Sequence, residues 1–190
     1  MDKTYIEDEV FDKTDFSQVS LFKGDYENCR FINCNFSQTD LSDFHFIECE
    51  FDGCNFSSAK INNLSLNNIT FNRCKLLGLP FNECNSFLFS VSFDNCNLNL
   101  SSFCKMTIKG TKFTSTSLHE VDFRQTDLSN SLFDNCNLSK AIFENSILYN
   151  VDFRTSHNYS FDPEANRIRK AKFSLPSVIG LLDKYDIVIE

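Results

Sequence analysis

Large apolar residues return at every fifth position along most of this chain. The first register runs from Ile6 to Phe81 and includes Phe31, Phe36 and Leu41. A period of five matches neither the 3.6-residue period of an amphipathic helix nor the two-residue alternation of an ordinary strand. Short internal repeats of this kind indicate a solenoid, in which each turn of the chain stacks on the next.

The repeat is interrupted once, between residues 82 and 88. After Phe81 the apolar position is missing for one unit and returns two residues late, at Leu88. We interpret the extra residues as a bulge that the coil tolerates, because surface connections accept insertions readily. The alternative is a small protruding contact, in which exposed Phe87 and Phe89 meet a partner.

Every fourth apolar centre is a phenylalanine, and this regularity survives the interruption. A coil with four sides of five residues would stack these centres in one column. The column consists of Phe11, Phe31, Phe51, Phe71, Phe93, Phe113, Phe133 and Phe153. The thirty centres from Ile6 to Phe153 therefore predict seven and a half coils of twenty residues. At about 4.8 Å per coil they form a rod roughly 36 Å long.

The cysteines follow the same repeat. Seven of the nine lie two positions before an apolar centre, Cys84 would do so without the interruption, and only Cys104 lies elsewhere. Zinc sites need cysteines two to four residues apart in pairs, which this spacing does not supply. Stacked residues such as Cys34 and Cys54 point in parallel, so their Cβ atoms stay too far apart for a disulfide. We expect free, buried thiols that fill space as small apolar groups.

The order small, polar, Leu or Phe, polar, polar resembles the repeat of the pentapeptide-repeat family. Cys29-Arg30-Phe31 and Cys54-Asn55-Phe56 are examples. The resemblance covers about four-fifths of the chain. It implies an all-β fold, a right-handed quadrilateral β-helix.

We expect residues 1–155 to form this β-helix, with the slip near 82–88, and residues 156–190 to form a C-terminal cap. Leu175-Pro176 is expected to begin a short helix, since proline suits the first helical position. Residues 186–189 alternate in polarity and are compatible with a final short strand. The apolar residues of this segment that we predict to form a dimer interface are Val178, Leu181, Leu182, Tyr185 and Ile187.

An open solenoid end must be covered, and either a plain cap or a dimer interface would do so. The layout resembles the C-terminal segment of the Qnr and MfpA type of pentapeptide-repeat protein. That resemblance implies a homodimer in which two rods pair end to end through the C-terminal segment.

The formal charge of −8 is concentrated in the first third of the chain. Residues 1–60 hold thirteen acids and five bases, whereas residues 61–190 hold thirteen of each. An acidic surface repels nucleic acid and anionic membranes and attracts basic protein surfaces. We therefore expect no direct binding to nucleic acid or membrane. Met1–Thr4 begins no signal peptide and no long apolar stretch is present, so a cytoplasmic location is expected.

The position after each centre of the phenylalanine column carries an aspartate in alternate coils. These acids would form a line with about 10 Å between neighbours. Together with two nearby glutamates, the candidate partner-binding stripe is Glu48, Glu50, Asp52, Asp94 and Asp134. The alternative is that Asp and Asn merely suit the turns of the repeat.

The sequence offers no arrangement for catalysis. His45, His119 and His157 fall on outward positions or after the rod, and the five glycines do not form a phosphate-binding loop. We predict that the protein is not an enzyme and uses no cofactor or metal.

The resemblance to Qnr and MfpA proteins implies a function. Such proteins are acidic rods that bind DNA gyrase or topoisomerase IV as DNA mimics, and protect them from quinolones or gyrase-directed toxins. Many Qnr proteins carry two projecting loops, whereas this chain has only the slip near 82–88. A structural or scaffolding role with an unrelated partner is the alternative, since a fold does not fix a function.

Overall fold

The computed structural model describes residues 4–189. Its regular elements are eleven short strands and three 3₁₀ turns. The strands are β1 (Thr4–Glu7), β2 (Val10–Asp12), β3 (Gly24–Glu27), β4 (Arg30–Ile32), β5 (His45–Ile47), β6 (Glu50–Asp52), β7 (Ser65–Asn67), β8 (Ile69–Asn72), β9 (Val91–Asp94), β10 (Lys112–Thr114) and β11 (Leu132–Asp134). The 3₁₀ turns span Phe81–Glu83, Val178–Leu181 and Asp183–Tyr185.

The strands form two parallel sheets that run along the rod. One has the order β1-β3-β5-β7, and the other has the order β11-β10-β9-β8-β6-β4-β2. Phe31 pairs with Phe51 at an offset of twenty residues, and Phe71 pairs with Phe93 at twenty-two. The sequence-based prediction of an all-β solenoid with twenty-residue coils is therefore confirmed.

Isolated bridges hold the remaining sides of the coil together. Asn35 pairs with Asn55 on one side, and Asp40 pairs with Lys60 on another. The pairing continues beyond residue 155, because Asp152 pairs with Lys172. The stacked coils thus extend about one turn further than the regular sequence repeat.

A left-handed residue at each corner explains the period of five. The residue two places after a centre has positive φ at almost every unit, for example 52° at Asn33 and 66° at Gly53. Asparagine and glycine adopt this conformation more readily than most residues, and the recurrent Asn at these corners follows from it. One such residue turns the chain, and two extended residues then lead to the next inward centre.

The predicted phenylalanine column is a continuous ring stack. Neighbouring centroids lie 4.7 Å apart at the Phe11–Phe31 end and 5.4 Å apart at the slip, between Phe71 and Phe93. The stack continues past Phe153 to Phe173, whose ring lies 5.4 Å away. Rings of adjacent columns meet edge to face, so the interior is packed with aromatic contacts.

The small inward residues do more than fill space. The Cys54 thiol donates to the carbonyl of Phe31 at 3.2 Å, and the Ser156 hydroxyl donates to that of Phe133 at 2.8 Å. All nine cysteines are free. Burial raises the pKa of the Cys49 thiol to about 12 and that of Cys136 to about 11. These thiols therefore stay protonated and serve as donors as well as fillers.

The slip differs from the sequence prediction in one respect. Leu88, expected to be an inward centre, is 60% exposed, and Phe89 packs against the core in its place. Leu88 instead occupies the left-handed corner, with φ of 57°. Of the two aromatic residues expected to be exposed here, only Phe87 is. The extra residues change which side chain turns inward because the backbone must rejoin the stacked strands by Val91.

The C-terminal segment forms two consecutive 3₁₀ turns, Val178–Leu181 and Asp183–Tyr185, where a single amphipathic helix was expected. Gly180 explains part of this geometry, because a Cβ there would lie 1.9 Å from the carbonyl oxygen of Tyr159. Phe161 also donates its backbone N–H to Gly180 at 3.2 Å. Residues 186–189 do not form the short strand that their alternation suggested.

We predict that the cost of removing a stacked ring depends on its place along the rod. Phe93 is buried between Phe71 and Phe113, whereas Phe11 is partly exposed and stacks on Phe31. Phe93→Ala should lower the free energy of unfolding by about 3–5 kcal/mol. Phe11→Ala should lower it by about 1–2 kcal/mol, because less apolar area is lost. Urea denaturation followed by circular dichroism measures both, and equal losses would contradict this account.

Candidate partner-binding surfaces

The aspartates of the candidate stripe lie in one line along the seven-stranded sheet. Asp52 pairs with Asn72, which pairs with Asp94, and Asp94 continues through Thr114 to Asp134. Asp52, Asp94 and Asp134 are therefore separated by two coils each, roughly 10 Å.

Two members of the stripe are neutralised by arginines of adjacent coils. Arg30 Nε donates to Glu50 Oε2 at 3.1 Å, and Asn72 donates to the other carboxylate oxygen at 2.9 Å. Arg73 donates to Asp52 Oδ2 at 2.5 Å. The negative charges of Glu50 and Asp52 are thus partly offset. These two residues add less negative potential to the surface than the sequence suggested.

The remaining two aspartates differ in their surroundings. Asp94 is exposed and accepts a hydrogen bond from its neighbour Asn95 at 3.0 Å. Asp134 is partly buried and accepts one from the Thr155 hydroxyl at 2.8 Å. Both carboxylates accept these hydrogen bonds from neutral donors.

Glu48 belongs to a different line of acids, at the corner that joins the two sheets. It is exposed and adopts the left-handed corner conformation, with φ of 53°. Asp8 occupies the same corner two coils earlier, with Asn28 between them donating to the Asp8 carboxylate. We call Asp8 and Glu48 the acidic corner. Sequence reasoning missed Asp8, although counting twenty residues twice from Glu48 would have found it.

The predicted dimer-interface residues divide into two groups. Leu181 is buried in the chain's own core and Val178 packs against that core. Leu182 is partly buried, whereas Tyr185 and Ile187 are exposed. The most exposed apolar residue of this region, besides Leu175, is Val188 at 87%. The outward apolar surface is therefore formed mainly by the segment after the second 3₁₀ turn.

An ion-pair cluster fastens the C-terminal turn to the last coil. Lys184 Nζ lies 2.7 Å from Asp162 Oδ1 and 2.8 Å from Glu164 Oε2. The Tyr185 hydroxyl donates to Glu164 at 3.3 Å. The bonds from Lys184 hold the pKa of both carboxyls below their ordinary values.

The described part of the chain shows no group of His, Cys, Asp or Glu placed to hold a metal ion. Among residues 4–189, no helix is long and apolar enough to cross a membrane. A void of about 10 Å³ between rings such as Phe46, Phe71 and Phe81 is at the lower limit for one water molecule. The space between these rings is thus filled by side chains.

The pentapeptide-repeat family model matches residues 29–68, 49–85 and 116–154, with eight copies of the repeat. These segments together cover half of the chain, and the chain belongs to this family. No match was found among curated protein sequences.

Two solved structures show the same fold over nearly the whole chain. A trypsin-treated variant of QnrB1, a plasmid-mediated fluoroquinolone resistance protein, matches with a TM-score of 0.63 at 18% identity, over 100% of both chains. A second trypsin-treated variant matches at 0.56 and 20% identity, over 99% of this chain and 98% of that one. HetL, a pentapeptide-repeat protein involved in heterocyst differentiation regulation from the cyanobacterium Nostoc sp., matches at 0.37 and 16% identity, over 90% and 85%.

We predict that acid or loss of Lys184 releases the C-terminal turn. Because the folded pKa values of Asp162 and Glu164 are lowered, their stabilising effect is present above the ordinary values of 3.8 and 4.5. It is lost as the pH falls through the lowered folded values. Lys184→Met should therefore speed hydrogen exchange in residues 174–185 at pH 7, with the difference from the natural chain disappearing in strong acid.

Lys140→Met is the matched control, since Lys140 pairs with Glu120 at 3.2 Å on the side of the rod. It should leave exchange in the C-terminal turn unchanged. Equal exchange in the natural chain and Lys184→Met at pH 7 would show that the ion pairs do not fasten this segment.

Proposed function

We propose that this protein is an acidic rod that binds a type II topoisomerase, DNA gyrase or topoisomerase IV, in the place of DNA. Binding protects the enzyme from quinolones or gyrase-directed toxins. The observation that carries this proposal is the likeness of fold to QnrB1, a fluoroquinolone resistance protein, over the whole length of both chains. The protein acts by contact and not by catalysis.

The charge distribution supports contact through the first half of the rod. A DNA-binding groove is basic, and exposed acids at regular spacing are attracted to it. Asp8 and Glu48 supply such acids at the corner, and Asp94 continues the negative charge along the adjacent sheet. The spacing is sparser than that of DNA phosphates, so the rod shape contributes along with the charge.

The slip supplies a second, apolar element near the middle of the rod. Phe87 and Leu88 project there, 75% and 60% exposed. This projection is much smaller than the loops of many Qnr proteins. We therefore assign the main contact to the acidic corner and the sheet beside it.

We further propose that two copies pair through their C-terminal segments. Tyr185, Ile187 and Val188 expose apolar surface that a second copy would bury. Apolar side chains in such numbers at one end are typical of a protein interface. Leu181 acts within one chain, where it closes the core beneath this surface.

Charge reversal at the acidic corner is expected to weaken topoisomerase binding. The natural protein should restore gyrase supercoiling in the presence of ciprofloxacin, and Asp8→Lys with Glu48→Lys should raise the concentration needed at least about tenfold. Lysine fits this backbone, because Lys105, Lys140 and Lys170 already occupy left-handed corners.

Glu120→Lys is the matched control for this assay. Glu120 has the same corner conformation, with φ of 57°, but lies two sides further around the coil. It should retain the activity of the natural protein. The topoisomerase proposal would be refuted if the natural protein neither binds gyrase, nor inhibits its supercoiling, nor restores supercoiling in the presence of ciprofloxacin. Such a result would favour a scaffolding role with another partner.

Replacing exposed apolar residues at the C-terminus should give monomers. Ile187→Glu with Val188→Glu places charges in the proposed interface without touching the buried Leu181. Sedimentation equilibrium should show a dimer for the natural chain and a monomer for the variant, with the same circular dichroism. A natural chain that sediments as a monomer at micromolar concentration would disprove this interface.

A further inference from the structure

In the described part of the chain, the outer strand edges of the first coil are unpaired. Strand β1 is the edge of the four-stranded sheet, and β2 is the edge of the seven-stranded sheet. Each pairs with the coil above it, through Ile6 to Tyr26 and Phe11 to Phe31. Within residues 4–189 no strand pairs with their other edges. Such edges present backbone N–H and C=O groups to any chain that can lie alongside.

The exposure of the inward side chains marks the same opening. Tyr26, Phe31 and Leu41 are 0% exposed, yet Ile6, Phe11 and Leu21, their equivalents one coil earlier, are only partly buried. The opposite end is different, because the turn around Gly180 packs closely on the backbone of Tyr159. One end of the apolar column is thus covered by the chain itself, whereas residues 4–189 leave the other end partly exposed.

The rim of the open end is strongly acidic. Between residues 4 and 20, five carboxylates surround a single cation, Lys13. They are Glu7, Asp8, Glu9, Asp12 and Asp15. Glu9, at a position that is inward in later coils, is exposed here, as are Glu7 and Asp12. Two such ends facing each other would bring ten carboxylates together, which opposes pairing with a second copy.

We propose that the open end binds an extended, basic segment of another protein, which adds a strand to β1 or β2. Backbone hydrogen bonds to the free edge supply affinity, as in other cases of strand addition. Alternate side chains of the segment are apolar and cover Ile6 on β1 or Phe11 on β2. The intervening ones are lysine or arginine and pair with the acidic rim.

This binding surface shares Asp8 with the acidic corner proposed for the topoisomerase but otherwise differs from it, since it lies at the end of the rod and depends on backbone edges. Glu9 and Asp12 belong to it and not to the acidic corner. The two proposals therefore fail or succeed in different assays, and variants at Glu48 leave the open end intact.

The test uses the full-length protein and a fluorescein-labelled peptide of alternating valine and lysine. Anisotropy should show saturable binding, and hydrogen exchange should slow in residues 4–12 when the peptide is present. Glu9→Lys with Asp12→Lys should weaken binding at least about tenfold. Glu144→Lys with Asp183→Lys, an equal change of charge on exposed residues elsewhere, should leave it unchanged.

A second peptide separates strand addition from simple charge attraction. It has the same side chains but methyl groups on alternate backbone nitrogens, which remove the donors needed for edge pairing. It should fail to bind. The proposal would be overturned if both peptides bind equally, if both pairs of substitutions weaken binding equally, or if binding is not saturable. So would protection of residues 4–12 that rises with protein concentration alone, because a second copy would then be the occupant.

Discussion

The fixed pairing of each coil with the next is the constraint on which the rest of this structure depends. Backbone hydrogen bonds hold equivalent residues one above another, twenty residues apart, so that Phe31 must stack on Phe11 and beneath Phe51. A flat ring is well suited to this position, because rings spaced by one coil remain in contact. The left-handed corners make this pairing possible by returning the chain to the same side every twenty residues.

The same constraint organises the polar groups. Residues with equal or adjacent places in successive coils become neighbours, which brings Arg30 to Glu50 and Arg73 to Asp52. It also aligns the thiols and hydroxyls of the inward positions with carbonyl groups of the preceding coil. The charge state of the surface and its hydrogen bonds are therefore set by residues stacked in successive coils. The effect of a residue depends on its neighbours in the coil before and the coil after.

At the two ends of a stacked structure there is no further coil to pair with the strand edges or to cover the apolar interior. At the C-terminal end the chain departs from the repeat, and 3₁₀ turns bring Leu181 into the core while Lys184 ties them to Asp162. At the N-terminal end, within residues 4–189, the first coil retains unpaired strand edges, and Glu9 stands where later coils bury Cys29 and Cys49. Both ends are thus where the sequence is least regular and where partners are expected.

The sequence by itself determined the coil, its length and its interior, because a five-residue period with phenylalanine at every fourth centre allows few arrangements. Its limits appear where the period is broken. Only the tertiary structure decided that Phe89 and not Leu88 turns inward, since this depends on where the backbone rejoins β9. Likewise, the sequence supplied Glu50 and Asp52 as candidate contacts, but the stacked coils place arginines on them. The reason is physical: the repeat fixes which residues share a column, whereas side-chain pairing and chain ends depend on distances that only the folded coil creates.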